Sequence, residues 1–240
     1  MKKVYDTINQ YCVEHELLTN GDGIVIGLSG GMDSVCLLQV LAALRNEWQL
    51  RLVCVHVHHG IRGTAADEDA AFAQRLAAKY NISFRLYEMD IPQLAKEQGL
   101  SEEEAGRNYR YRCFEEVRKE LNFDKIAVAH HRDDQAETVL WQILRGSGLR
   151  GVCGMRAGRA NIIRPLLCLD RQQIEQIVRG NGDGWREDAT NREEKYTRNK
   201  IRNRVFPYIE QEIQPMARRH LVELAEDCQR AWDYIERQML

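Results

Sequence analysis

The chain has 240 residues, of which 44% are hydrophobic and 29% charged, with a formal net charge of −2. That is room for one sizeable α/β domain and a small appendage; the longest apolar runs, such as residues 35–44, are too short to span a bilayer, and the N-terminus lacks the apolar core of a signal peptide. Seven cysteines are scattered without a C-x-x-C pair, and Cys36, Cys54, Cys113 and Cys153 lie in apolar or helical settings, where a buried, reduced thiol of the cytoplasm is the default reading.

In chain order, residues 3–18 read as an amphipathic helix (Val4, Ile8, Tyr11, Cys12, Leu17) that closes in Asn20-Gly21-Asp22-Gly23. Ile24-Val25-Ile26 has the character of a buried strand. It breaks at Ser29-Gly30-Gly31, and an apolar helical pattern begins at Val35. The glycines let the backbone come close to a ligand and aim several N–H groups at one point. The helix behind them adds its positive end, so the turn is prepared for phosphate. Asp33 has two available jobs, capping that helix or holding a Mg²⁺ that bridges phosphate oxygens. The bland alternative is an ordinary βα turn. The string Ser29-Gly30-Gly31-Met32-Asp33-Ser34 is neither the dinucleotide fingerprint nor the lysine-bearing phosphate loop.

Residues 50–58 form a second predicted strand, with Leu52, Cys54, His56 and His58 on one side, running into His59-Gly60-Ile61-Arg62-Gly63. A helix over 65–80, a strand over 82–89, a long helix over 102–121, a strand over 125–130 and a helix over 133–145 follow. Strands alternating with helices predict βαβ units and a parallel sheet with ligands at the strands' carboxyl ends. The unusual stretches 29–34, 58–63 and 130–137 all fall at such ends. Asp134 and Glu137 lie three apart on a helix, so their carboxylates share a face. At the mouth of the sheet that carries the phosphate loop, such a pair could grip an ammonium group, one member serving as general base for an amine. The plain alternative is two acids favouring a helix dipole. The pair His130-His131 at a strand end points to phosphate or an activated intermediate.

Glycines rise in number after 146, a short strand is predicted over 162–166, a helix over 170–180, a loop over 182–191 and a basic helix over 196–206. Residues 145–171 hold six arginines and one acid, and 192–204 hold six basic residues and two glutamates. Such a basic face docks an RNA backbone or is simply solvated. Trp185, Tyr196 and Tyr111 are offered as surfaces for an unstacked base, with core packing as the alternative. Residues 217–239 read as a long helix with an apolar stripe (Leu221, Leu224, Ala225, Cys228, Trp232, Ile235). That stripe folds back on the domain, dimerises into a homodimer, or belongs to a larger protein.

The string SGGMDS resembles SGGxDS, the pyrophosphate loop of the ATP pyrophosphatases, which cleave ATP to AMP and pyrophosphate. The succession SGGMDS, HHGIR, Glu104-Ala105-Gly106-Arg107 with Arg110-Tyr111, AHHRDDQAET, LRGSGLRG, IIRPLL, Trp185-Arg186-Glu187-Asp188 with Asn191, and Thr197-Arg198-Asn199-Lys200-Ile201-Arg202 is similar to the tRNA(Ile)-lysidine synthetases over roughly residues 20–210. The resemblance implies an α/β fold of the adenine nucleotide α-hydrolase-like, PP-loop ATPase kind. A parallel sheet flanked by helices would fill residues 1–210 as catalytic domain, and 211–240 would be a short helical extension that begins a second domain. It implies ATP and Mg²⁺ as cofactors, free L-lysine and tRNA(Ile) with a CAU anticodon as partners, no membrane, and a cytoplasmic setting. ATP would adenylate carbon 2 of the wobble cytidine, and lysine would then attack through its ε-amine to give lysidine, AMP and pyrophosphate.

Carried over by position, Ser29, Gly30, Gly31, Met32, Asp33 and Ser34 would bind ATP with His58 and Arg62, and Asp33 would hold the metal. Asp33, His131, Asp134 and Glu137 would be catalytic. Asp134 and Glu137 would take the lysine, Arg198 or Arg202 its carboxylate or the tRNA, and Arg107, Arg110 and Arg164 the substrate. The chain departs from the family at His58, where Asn or Asp is more frequent, and at Ala189-Thr190. Many members continue into helical and C-terminal domains that grip the tRNA, so this chain is expected to stop within the helical part. Sulfur-transferring thiolases with the same loop need paired cysteines, and no C-x-x-C occurs. Small-molecule amidotransferases leave the arginine-rich half unexplained. A module that binds ATP or RNA without activity is the non-enzymatic alternative.

Overall fold

The computed structural model describes residues 2–58, 64–186 and 197–239. They fall into two compact units, one of Met1–Ala129, Ala157–Cys168 and Gln172–Glu187, the other of His130–Arg156, Leu169–Arg171 and Asp188–Leu240. Among the described residues no helix is long and apolar enough to cross a membrane.

The first unit is built on a six-stranded sheet in the order β3-β2-β1-β4-β6-β5. Its strands are β1 (Gly23–Gly27), β2 (Arg51–His58), β3 (Ser83–Glu88), β4 (Lys125–Ala127), β5 (Gly158–Arg159) and β6 (Ile162–Ile163). β1 pairs in parallel with both β2 and β4, in the registers Val25↔Val53 and Val25↔Ile126. The order therefore reverses at β1, which is where doubly wound sheets place ligands. Only β5 runs antiparallel, in a short hairpin with β6. Side chains alternate across the sheet, so Val25, Val53, Val55, Val57, Ile126 and Val128 meet α4 (Ile91–Gln98) and α5 (Glu102–Glu120) through Ile91, Ala95, Phe114 and Val117. Ile24, Ile26 and Cys54 are as deeply buried. The predicted one-sided β2 is thus a strand covered on both faces, Val53 to Val57 being buried throughout, as parallel sheets require.

Helix α2 (Met32–Leu44) buries ten of its thirteen residues, and α3 (Thr64–Lys79) and α8 (Arg171–Asn181) complete the helices that follow strands or close the unit, with α1 (Lys2–Glu14) ahead of them. Helix α4 and the strand predicted over 162–166 also differ from expectation. Helix α4 has no predicted counterpart although its signals are local: Asp90 caps it by accepting from Gln93 N–H at 3.0 Å, Pro92 stands in the first turn, and Gly99 ends it at φ 65°. The strand predicted over 162–166 is only two residues long, because Pro165 opens a 3₁₀ turn over Pro165–Cys168.

The second unit is helical: α6 (Arg132–Leu144), α7 (Leu149–Val152), α9 (Thr197–Lys200), a π turn over Ile201–Val205, α10 (Phe206–Glu212) and α11 (Ala217–Gln238). The basic helix predicted over 196–206 is broken by that π turn; Tyr196 lies outside the described residues. Ala136, Ile201 and Phe206 form the buried centre, with Leu140, Leu221 and Val222 packed around them. The last helix packs on its own unit through Leu221 and the buried Ala225, while Leu224 and Ile235 of the predicted stripe are exposed. Gln229 Nε2 donates to Cys153 O at 2.6 Å, and Arg156 pairs with Asp233 at 2.5 Å.

Candidate active site

β1 ends at Gly27 and α2 begins at Met32, so the phosphate-loop candidate occupies the short connection of residues 28–31. Gly30 stands at φ +91°, open to glycine alone without strain. A Cβ there would also meet Phe72 Cδ1 at 3.4 Å and Arg186 Cγ at 3.8 Å. The amides are arranged differently from the expected converging set. Ser34 Oγ accepts from Ser29 N–H at 3.2 Å and from Gly30 N–H at 3.1 Å, and donates to Gly31 O at 2.9 Å. The hydroxyl staples the loop to its helix, which leaves the first-turn amides of α2 as the donors aimed out of the helix end: the first intrahelical bond is Val35 N–H to Gly31 O at 3.0 Å. The N-cap position is held by Gly31 without a side-chain bond. Asp33 is therefore not the cap. It is a first-turn carboxylate of α2.

Two neighbours support the loop from the sheet. Leu28 N–H donates to Val55 O at 2.9 Å, and Leu28 O accepts from the buried His56 Nδ1 at 2.8 Å. Burial holds the His56 imidazole below its usual range, so it stays neutral near pH 7. His58 closes β2 with Nε2 3.3 Å from Asp67 Oδ1. Arg62 lies outside the described residues. Arg164 follows β6 and is 7% exposed; burial pushes its guanidinium down, and Arg107 adds to that as a like charge. Arg107 stacks on Tyr111 at 5.6 Å and Arg110 is exposed on the same helix. Tyr111 packs edge-on against Phe114, the core alternative, and Trp185 lies under Arg179 at 5.3 Å.

The acid pair lies in the second unit. His131 caps α6: its Nδ1 accepts from Asp133 N–H at 3.2 Å, while Asp134 Oδ2 accepts from His131 N–H at 3.0 Å. The 1%-exposed ring thus positions the acids rather than facing outward. The remaining carboxylate oxygens meet two arginines. Arg198 donates to Asp134 Oδ1 and to Glu137 Oε2, both at 2.9 Å. Arg202 donates to Asp134 Oδ1 at 2.8 Å and to Glu137 Oε1 at 2.6 Å. The acids are three apart on α6 and the arginines four apart across α9 and the π turn, so each pair shares one face. The side chain of Glu137 is 1% exposed and that of Asp134 10%, against 34% and 30% for Arg198 and Arg202. Burial would raise the Asp134 carboxyl, but its neighbours His131, Arg198, His130 and Arg202 outweigh it and hold it at about 2. Two anions and two cations balance in one charge-neutral quartet.

Among the described residues no group of three or more His, Cys, Asp or Glu could hold a metal ion. A Mg²⁺ bound by one carboxylate and substrate phosphates needs no such cage, and Asp33 offers that single carboxylate. All seven cysteines are free, and burial pushes Cys12 and Cys54 up to about 12, which makes them inert. The sequence reading did not single out Asp69, Glu68 and Asp183. Arg186 belongs to the string Trp185-Arg186-Glu187-Asp188, and its backbone N–H donates to Gly30 O at 2.9 Å.

Comparison with known proteins identifies the family and the fold. Residues 2–209 match the family described as the PP-loop domain. A tRNA(Ile)-lysidine synthase of Caldanaerobacter subterraneus subsp. tengcongensis is 45% identical over 98% of this chain and 50% of its own length. One from Clostridium perfringens is 41% identical over 99% of this chain and 50% of its own. The chain thus spans about half the length of the curated relatives it matches. Among solved structures, the U34-tRNA thiolase NcsA from Methanococcus maripaludis superposes with a TM-score of 0.75 at 18% identity, over 94% of this chain and 77% of that one; it shares the fold.

Proposed function

The chain belongs to the PP-loop family, and we propose that it carries the catalytic domain of a tRNA(Ile)-lysidine synthase, with residues 1–210 as that domain and 211–240 opening a helical one. The reaction joins free lysine to carbon 2 of the wobble cytidine of tRNA(Ile) with a CAU anticodon, in the cytoplasm, and changes decoding from AUG to AUA. The observation that carries this reading is the quartet of Asp134, Glu137, Arg198 and Arg202. Free lysine presents two ammonium groups and one carboxylate, the complement of two buried carboxylates and two guanidinium forks. Lysine enters by exchange: its ammonium groups replace guanidinium N–H donors on the acids, and the released forks take its carboxylate.

The two steps divide between the two groups of residues. For adenylation, Ser29 to Ser34 receive the phosphates on the first-turn amides of α2, and His58, Arg62, Arg107, Arg110 and Arg164 supply cationic or polar contacts to nucleotide and substrate. Asp33 would hold a Mg²⁺ ion, which would supply charge neutralisation on the phosphates. The cytidine O2 bonds to the α-phosphorus, and pyrophosphate leaves. For transfer, the lysine ε-amine must be neutral to attack carbon 2; Glu137 accepts its proton and AMP leaves with the O2 oxygen. Identity with lysidine synthases over nearly the whole chain supports the reading.

The test is ATP–pyrophosphate exchange that depends on tRNA(Ile) and needs no lysine. The parent chain is expected to show it. Asp33→Ala should abolish it, by at least about 100-fold, given what charge-stabilising groups contribute in comparable sites, with an unchanged melting temperature. Absence of exchange in the parent, or full exchange in the variant, would overturn the assignment.

A further inference from the structure

Residues 181–186 run from the end of α8 to the back of the phosphate loop, and their anchor is the side chain of Asp183, 1% exposed. Its carboxylate accepts from Gln39 Nε2 on α2 at 2.6 Å, from the Tyr80 hydroxyl at 2.5 Å and from Lys79 Nζ at the end of α3. Asn181, two residues earlier, donates to Tyr5 Oη on α1 and to Gln39 Oε1, each at 3.0 Å. Gly182 and Gly184 flank Asp183 at φ +70° and +68°, so the backbone turns sharply on either side of the anchor. Burial pushes the Asp183 carboxyl up, but the bonds from Lys79, Tyr80 and Gln39 outweigh it and hold it below the usual range.

Three residues later the strand of chain touches the loop. Arg186 N–H donates to Gly30 O at 2.9 Å, and its guanidinium pairs at 2.7 Å with both Asp69 and Glu68 on α3. The Arg186 stem and Phe72 are the side chains nearest to where a Cβ on Gly30 would stand. The carbonyl of the one loop residue at φ +91° is therefore fixed by a segment that lies far away in sequence.

We propose that residues 181–186 are a strap that sets the conformation of the phosphate loop, with Asp183 as a positioning residue acting through Arg186 on Gly30. The role rests on the reading of Ser29–Ser34 as the ATP loop. Without the buried carboxylate, Lys79, Tyr80 and Gln39 lose their common acceptor, the turn at 182–184 loosens, and the Arg186 amide no longer fixes the Gly30 peptide. The loop then meets phosphate in several conformations instead of one, which weakens ATP without touching the lysine residues.

The test compares Asp183→Ala with Arg118→Ala, which breaks a 2.8 Å ion pair with Glu115 on α5 and serves as a control for stability loss alone. Three quantities are read: Mg-ATP affinity by calorimetry without RNA or lysine, hydrogen exchange of the amides at 29–34, and the KM for lysine in the full reaction. Asp183→Ala should weaken ATP about tenfold, within the range that small misplacements of a site produce, accelerate exchange at 29–34, and leave the lysine KM unchanged. Arg118→Ala should change none of the three. ATP affinity within about twofold of the parent, or an equal loss in both variants, overturns the strap. If Asp183→Ala fails to fold, Asp183→Asn decides: it keeps the shape and one acceptor, and a smaller loss in the same direction is required. Failure of the parent chain to bind Mg-ATP removes the ATP reading itself, whereas unchanged loop exchange in the variants removes only the strap.

Discussion

Asp134 is required to be a capping residue and an ion-pair partner at once, and both roles need its charge. One oxygen closes the capping box with His131, the other receives Arg198 and Arg202. Its carboxyl is lowered from 3.8 to about 2, so it contributes stability that is fully present above about pH 4 and lost as pH falls through 2. Denaturant unfolding at pH values between 2 and 5 should show an acid limb that Asp134→Asn flattens. An equally steep limb in the variant would assign the acid sensitivity elsewhere. At this scale the spacing of Asp134 and Glu137 was legible, because three residues on a helix always share a face. The spacing of Arg198 and Arg202 was just as legible. That the two pairs meet was not, since 61 to 68 residues separate the partners and no local rule joins them. The same holds for Asp183 and Arg186, whose partners lie more than a hundred residues away.

Among the elements, α6 presents the acids and the segment 197–206 presents the arginines, and Phe206 is where the two are packed together. It is fully buried against Ala136, Ile201, Leu221 and Val222, with Arg218 over its ring at 4.1 Å. Phe206→Ala should cost about 3–5 kcal/mol in urea unfolding, as large-to-small core changes do, and should weaken lysine use more than ATP binding. A loss below about 1 kcal/mol would mean that the segment is held by its ion pairs alone. Strand β1, its glycine turn and α2 were readable because a β-branched run, a glycine break and a helical period succeed one another without spare residues. The π turn at Ile201–Val205 was not, for Ile-Arg-Asn-Arg-Val has nothing that marks it from an ordinary helix. Helix α4 carried its stop and start signals in plain view, Asp90, Pro92 and Gly99, and shows that short helices between strands are easily read as loop.

For the whole molecule, a net charge of −2 conceals a division of labour among its arginines. Arg198 and Arg202 are engaged by the quartet, Arg156 by Asp233 and Arg164 by burial. Arg145, stacked on Trp141 at 5.6 Å, and Arg150 are exposed. On the proposed reading, exposed groups such as these, rather than the quartet, would meet RNA phosphates. Changing both to alanine should weaken RNA binding and lower its log–log salt slope by about 2, one for each phosphate that is no longer neutralised; an unchanged slope would place the RNA on another surface. Composition alone showed the basic bias, but only the structure separates arginines already paired from those still exposed.

The central claim is that the phosphate loop activates the cytidine and the buried acids then receive lysine's amine, in two separable steps. Glu137→Ala, incubated with ATP, Mg²⁺, lysine and tRNA(Ile), tests it directly when AMP-linked RNA and lysidine are both quantified. The account predicts that AMP-linked RNA accumulates while lysidine is absent. Lysidine formed at the parent rate, or loss of both products in a variant that remains folded, would contradict it.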